Sequence, residues 1–504
     1  MHMSVALLIA VFAPIVAAVG SLLLPARNAA HFHRLAAAAT LVSLVSILML
    51  FVGCAAGGNG LVCRVRADWI PEIGASFDLG LDGISLPLLL LAGLVNMAGV
   101  MAGGRQRERQ KEYYALYLLL ASGVMLAIAS LDLLLFYVAL EIDVLCSYLL
   151  IACWGDFKDA RTVSTAKSAA MMLTLFLAAG ALLVTLGVWW LYQAGGRTFD
   201  LLAMQERLTA QPLALAVQSR IFLLLLAGFG ILLSVWPMHV WAPAGYAAAP
   251  TGISMLSAGV LKILGAYGLI RVAAPLLPDG ARAWSGLMAG LAAMNILYCG
   301  WITMRQTDWK FLLAYSSISH MGYVLLGIAA NSPLGTVGAV TIMFAHGLSS
   351  AAAFALIGQV ETATGSRAVA SMSGLARSLA FTGPAMLLTA FAICGLPGFA
   401  SFWGEILVFV GAWQQGSLPL RLAAIAAVWG LVMTATYILG AIRTSFFGPV
   451  RPEAAPCKEQ STPGFRLACA LLLAASMIVG FAPRIVTDQA LRSEHMPHAG
   501  GQAR

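Results

Sequence analysis

Five ionisable side chains sit inside long apolar runs of this 504-residue sequence: Glu141, Lys262, His320, His346 and Glu405. A charge placed at the centre of a bilayer costs about 3 kcal/mol or more on insertion scales, so each of them asks for a function and a partner. A desolvated amine gives up its proton more readily, a neighbouring carboxylate restores it, and imidazole titrates near neutral pH unaided. Such groups, joined by water, would hand protons along a row, and a change of charge at one would alter the next. Lys167 and His239 are shallower additions to the row. This chemistry needs no metal, sulfur centre or nucleophile, and no cofactor is expected. The eight cysteines show no Cys-x-x-Cys pair and no Cys/His cluster of metal-ligand spacing.

Plainer readings exist for several of these residues. A lone histidine such as His346 on an apolar helix is commonly a packing residue, and Lys167 can extend its stem to the membrane interface. Asp143 lies two positions from Glu141, about 200° around a helix, and so cannot share its face. Asp82 and Asp132 fall near span ends, where structural roles are expected. Glu141, Lys262 and Glu405 are the three for which packing alone is the weaker account.

The elements that would position these groups follow from composition. With 61% hydrophobic and 10% charged residues, the chain cannot build a water-facing surface for its length. An all-α polytopic membrane protein remains. Apolar runs place spans near 4–24, 35–54, 79–101, 113–131, 133–153, 165–192, 218–238, 250–273, 283–303, 309–330, 334–359, 381–412, 418–446 and 464–483, about fourteen in all. The connections 55–78, 193–217 and 447–463 are too short for a core of their own, so residues 1–504 form a single membrane domain. The first run lacks a charged leader and is long enough to span, which makes it a helix rather than a signal peptide. Lys and Arg favour connections after odd-numbered spans, notably through Arg105, Arg107, Arg109 and Lys111. This places both termini outside the cytoplasm. The net charge of +8 is scattered rather than striped, so nucleic acid is not an expected partner. Cys54 and Cys63 could be bridged if their loop faces an oxidising compartment.

Two spans carry helix breakers: Val235-Trp236-Pro237-Met238-His239 in the seventh, and Gly395-Leu396-Pro397-Gly398 in the twelfth. Proline removes a backbone donor, and the carbonyls it releases need protein or water at membrane depth. Broken helices in comparable places of two chain halves point to a transporter built from repeated bundles.

The run Gln306-Thr307-Asp308-Trp309-Lys310, followed by Ala314-Tyr315-Ser316-Ser317-Ile318-Ser319-His320-Met321-Gly322-Tyr323, resembles the signature of the antiporter-like subunits of respiratory complex I, within the Mrp-type proton antiporter superfamily. Ala345-His346-Gly347-Leu348, Leu81-Asp82-Gly83-Ile84-Ser85-Leu86 and Pro237-Met238-His239-Val240-Trp241 agree with it. The stretches around Glu141 and Glu405 resemble the M subunit of NADH-quinone oxidoreductase more than its L and N relatives. The resemblance covers about residues 75 to 450.

It implies fourteen helices with two inverted five-helix repeats, 113–274 and 283–446, preceded by helices 1–3 (1–112) and followed by a loop, helix 14 and tail (447–504). It also implies that Glu141 modulates lysines, that Lys262 lies on a central hydrophilic axis with His320 and His346, and that Glu405 is the exit-side group. Function and partners follow from it too: proton translocation within a complex I-like NADH:quinone oxidoreductase in the cell's inner (plasma) membrane, beside other membrane subunits that hold the redox centres. A membrane-bound hydrogenase complex, a multi-subunit cation/proton antiporter, an inorganic-carbon uptake system and a non-conducting scaffold are the alternatives. One departure stands out. Where the family carries a lysine in the seventh helix, this sequence has Leu232, which removes the expected partner of Glu141 and leaves two alternatives: a first half-channel rewired through Lys167 or His239, or one that does not pump.

Overall fold

The computed structural model describes residues 2–23, 29–55, 60–61, 63–103, 108–156, 165–448 and 458–494. The chain opens with α1 (His2–Leu23) and α2 (Ala29–Ala55), then turns through a hairpin of β1 (Cys63–Ile70) and β2 (Ala75–Leu81). α3 (Ser85–Ala102), α4 (Gln110–Ala129), α5 (Leu133–Trp154) and α6 (Ala166–Ala194) follow. A short α7 (Leu201–Ala210) leads to α8 (Leu215–Leu233) and α9 (Trp241–Ala248). Next come α10 (Thr251–Leu276), α11 (Pro278–Met304), α12 (Trp309–Ala329) and α13 (Pro333–Thr364). The chain ends with α14 (Thr382–Ile393), α15 (Ala400–Gln414), α16 (Leu418–Phe446), α17 (Pro463–Phe481) and α18 (Arg484–Glu494).

Among the described residues, thirteen of these helices are long and apolar enough to cross a membrane. The twelfth expected span is instead the pair α14 and α15, each too short alone. The chain is a multi-pass membrane protein. In hydrocarbon every backbone N–H and C=O must be satisfied internally, which is why the apolar runs become helices. Their ends are closed by side chains. Asp132 accepts from Leu134 N and Leu135 N at 2.9 and 3.0 Å to start α5, and Asp308 accepts from Lys310 N and Phe311 N at 2.8 and 3.2 Å to start α12.

One expectation is corrected. The span expected at 79–101 begins only at Ser85, because residues 75–81 pair antiparallel with 63–70, with Val65 opposite Leu79 and Ala67 opposite Phe77. The connection 193–217 likewise contains α7. Hairpin and α7 form one cap on the same side of the membrane. Phe199 N donates to Gly74 O at 3.0 Å, Arg66 pairs with Asp200 at 2.8 Å, and the Ser76 amide donates to Asp132 at 2.8 Å. Asp82 caps α3 through Ser85 N at 2.9 Å and pairs with Arg271 of α10. Burial alone would raise its pKa, but Arg271 and the Ser85 and Ile84 bonds outweigh burial and hold the carboxyl below the usual range. Asp82 and Asp132 thus have the structural roles expected of them. Cys63 is a free thiol, and the side chain of Cys54 lies outside the described residues. Arg105 and Arg107 of the basic connection lie outside them as well.

The helices sort by exposure. α10 and α13 are buried throughout their crossing segments, and α12 nearly so, whereas α6 and α16 leave most of theirs at the surface. Leu182, Trp189, Val428 and Trp429 on those outer helices are suited to lipid or to a neighbouring membrane subunit. The polar groups of interest are carried mainly by the inner set.

Candidate proton-relay site

Lys262 follows a stretch of wider π-turns, Ser257–Leu261, in α10, and its own N–H reaches back to Ser257 O at 3.4 Å. Such insertions re-aim the side chain that follows. The ammonium group is fully buried and donates to Ser317 Oγ on α12. Ser317 Oγ lies 2.7 Å from His346 Nε2 on α13, and the ring of His346 stacks on that of His320 with centroids 5.3 Å apart. Lys262, His346 and His320 therefore form one contiguous buried cluster, joined by a serine hydroxyl that can donate and accept. The amine also sits 5.8 Å from the ring centroid of Tyr246.

His320 is held at both nitrogens. Nδ1 lies 2.8 Å from Ser316 O and Nε2 lies 3.0 Å from Ile393 O, the last residue of α14. The break between α14 and α15 thus releases a carbonyl that an imidazole takes up. Glu405 approaches the same break from α15. It is 3% exposed, and a Cβ on Gly395 would collide with its Oε2. Gly395 also adopts φ +66°, so glycine is required there for both backbone and space. The break between α8 and α9 is closed differently. Asn295 Oδ1 accepts from Trp236 N at 2.6 Å, its amide reaches Ser234 O and Ile318 O at 3.3 Å each, and Trp241 Nε1 donates to Ile231 O at 3.0 Å.

The other expected site residues lie apart. Glu141 is half-buried beside a cavity of about 30 Å3, enough for about one water. Leu232 and Leu261 line the same cavity, and among the described residues Glu141 is the only charged one on its wall. The position noted as a departure therefore does face Glu141, and it presents hydrocarbon. Gly180 and Gly228 let α6 and α8 approach closely here, each within 3.0 Å of where the other's carbonyl would meet a Cβ. His239 is buried between the rings of Tyr298 and Tyr315, with centroids 6.2 Å away in each case, and its Nδ1 has no partner among the described residues. Lys167 departs from the expectation. It is exposed in the first turn of α6, because the helix starts at Ala166 behind its Thr165 cap, and it is not part of the buried cluster. Asp143, on the opposite face of α5, is fully buried with neither oxygen partnered among the described residues.

Four participants escaped the sequence reading. Ser317 bridges Lys262 to His346, and Ser316 Oγ meets Tyr437 OH of α16 at 2.9 Å. Asn295 secures the first break. The adjacent pair Ser316-Ser317, on the same helix as His320 and within two turns of it, was the available signal for the serines. Tyr437 and Asn295 had none.

Known proteins match most of this chain. The family model described as NADH:quinone oxidoreductase/Mrp antiporter, TM matches residues 130–433. An NAD(P)H-quinone oxidoreductase chain 4 2 from Microcystis aeruginosa is 35% identical over 388 residues, 76% of this chain and 68% of that protein. An NAD(P)H-quinone oxidoreductase chain 4 from Prochlorococcus marinus is 32% identical over 469 residues, 90% of this chain and 84% of the relative. Among solved structures, a chain of respiratory complex I from Thermus thermophilus with bound NADH superposes with TM-score 0.85 at 26% identity, over 97% of this chain and 99% of the other. A chain of the Mrp complex from Dietzia sp. shares the fold alone, with TM-score 0.85 at 19% identity and 97% of both chains covered. A buried lysine–histidine cluster flanked by two broken helices, in a chain matched this widely, leaves one assignment: the chain belongs to the NADH:quinone oxidoreductase/Mrp antiporter transmembrane family.

Proposed function

We propose that this chain is a proton-translocating, antiporter-like membrane subunit of a complex I-like NADH:quinone oxidoreductase in the cell's inner (plasma) membrane, driven by redox chemistry in partner subunits. The observation that carries the reading is the buried connection Lys262–Ser317–His346–His320, which ends at a helix break occupied from the other side by Glu405. Protons pass between Lys262 and His346 by exchange through the Ser317 hydroxyl, and the stacked ring of His320 responds to the charge on its neighbours. The redox-linked partner subunits are inferred from the complexes in which the relatives are found. The two breaks, five spans apart, support two five-helix repeats, 113–274 and 283–446.

Leu232 favours a particular division of labour. With an apolar wall opposite Glu141, the first repeat lacks the ammonium of a half-channel, and the second repeat together with Lys262 carries the conducting groups. The test uses the assembled complex in proteoliposomes. Lys262→Ala and Glu405→Gln should each lower the protons moved per electron pair. Unchanged stoichiometry in both variants would make the chain a scaffold.

A further inference from the structure

Lys262 lies between two helices that are distant in sequence. On one side the ring of Tyr246 in α9 stands 5.8 Å from its amine, and on the other Ser317 of α12 accepts from it. α9 is only 8 residues long and follows a break, so its own backbone bonds do little to anchor it. What holds α9 against α12 sets the seat of the amine between them. Two side chains do this, one at each end of α9. Ahead of it, Asn295 of α11 is fully buried and accepts from Trp236 N at 2.6 Å, while its amide donates to Ser234 O in the break and to Ile318 O of α12 at 3.3 Å each. Ile318 is the residue next to Ser317. His239 adds a ring contact at the same end, between Tyr298 of α11 and Tyr315 of α12.

At the far end stands Arg367, in the connection between α13 and α14. Its Nη1 donates to Ala247 O of α9 at 3.0 Å, and its Nε lies 3.1 Å from the carboxylate of Asp308, the residue that caps α12. The backbone oxygen of Arg367 also accepts from Trp309 N at 3.0 Å. A guanidinium is a rigid planar fork, so one that serves a carbonyl and a carboxylate together fixes the spacing between them. The last turn of α9 and the first turn of α12 are thus joined through one side chain. We propose that Asn295 and Arg367 are positioning residues that brace α9 against α12 and set the seat in which Lys262 meets Ser317. The inference rests on the relay reading above. The groups that face Lys262 are Ser317 of α12 and Tyr246 of α9; Cys299 of α11 acts on it electrostatically, and His346 and His320 respond to its charge.

The test measures proton translocation against pH in the assembled complex. Asn295→Leu keeps the volume and removes all three bonds; Arg367→Met keeps the stem and removes every donor. Each should lower the rate about tenfold or more, since a misplacement of about 1 Å at a reacting group costs on the order of a hundredfold. Each should also shift the pH profile, because the proton affinity of Lys262 follows its contact with Ser317, whereas a complex that is merely less stable loses rate alike at every pH. Arg367→Lys restores a cation without the fork and should fall between Arg367→Met and wild type in both readouts. Asn295→Leu leaves buried backbone groups unpaired, and if it does not assemble, the Arg367 pair decides the question. A wild-type pH profile in Arg367→Met and in any Asn295→Leu complex that assembles overturns the proposal, whatever the rate. Lys262→Ala measured in parallel separates the two readings. If Lys262→Ala is impaired while the profiles of the other variants are unshifted, only the brace fails; if Lys262→Ala is also unimpaired, the relay itself fails.

Discussion

His320 Nε2 lies 3.0 Å from the carbonyl oxygen of Ile393, and the opposite nitrogen of the same ring lies 2.8 Å from Ser316 O. Carbonyl oxygens only accept, so both contacts are hydrogen bonds together only when both ring nitrogens carry hydrogen. With one hydrogen the ring serves one carbonyl, and the other faces a lone pair. The proton count on His320 is thereby tied to how firmly α14 ends against α12.

His320→Leu removes both donors and leaves two carbonyls unpaired at membrane depth, at about 1–3 kcal/mol each. Thermal unfolding of the purified complex should shift down accordingly, and pumping should be lost. His320→Gln keeps a donor and should assemble better while still pumping slowly. A His320→Leu complex with wild-type melting would mean that the two contacts contribute nothing.

Leu232→Lys places an ammonium on the wall that Glu141 shares. With Glu141 present the variant should accumulate at near wild-type level. Combined with Glu141→Gln, the buried cation has no counter-charge, and stability should fall by about 3–5 kcal/mol. A double-mutant cycle read by thermal melting measures the coupling. Additive effects would show that the two side chains do not meet.

The two lysines should behave oppositely. Lys262→Ala removes the fully buried amine that Ser317 accepts from, so proton pumping should drop severely. Lys167→Ala changes an exposed side chain in the first turn of α6 and should leave pumping intact and stability within about 0.5 kcal/mol. Proton uptake by proteoliposomes containing each variant is the measurement.

Asp82 contributes to the pH dependence of the hairpin side. Its carboxyl is held below the ordinary value, with Arg271 and the α3 amides overcoming burial, so its contribution is complete above the unfolded value of about 4 and is lost as pH falls through the lower folded value. Asp82→Asn leaves Arg271 buried without its partner and should cost about 3–5 kcal/mol at neutral pH. The difference between variant and wild type in melting temperature should shrink on acidification below pH 4. A difference independent of pH would assign the stabilisation elsewhere.

Much of this was legible in the sequence because lipid simplifies the problem. Apolar length alone located α16 at 418–446 and α5 to within a residue, and the two proline-bearing breaks fell where breakers predicted. The hairpin was not legible, since residues 79–81 are apolar and run straight into α3, and the alternation of Arg64-Val65-Arg66 is too brief to announce a strand. Lys167 was drawn into the expected row because it borders an apolar run, whereas its exposure is set by where Thr165 caps the helix. Lys262, His320 and His346 were visible as charges out of place. The Ser317 hydroxyl that joins Lys262 to His346 was not, because a hydroxyl costs too little in an apolar helix to stand out.

The π-turns ahead of Lys262 make chain length, rather than residue identity, the determinant of where that amine points. A regular helix closes a turn in about 3.6 residues, and a π-turn fits one more residue into the same turn. Deleting one residue between Ser257 and Leu261 would let the wide turn tighten to a regular one, so Arg271 further along would keep facing Asp82 while the seat of Lys262 against Ser317 is reset locally. The upstream segment beginning at Thr251 would keep its place. One surplus peptide unit thus tunes the aim of a single amine and leaves the distant ion pair in phase.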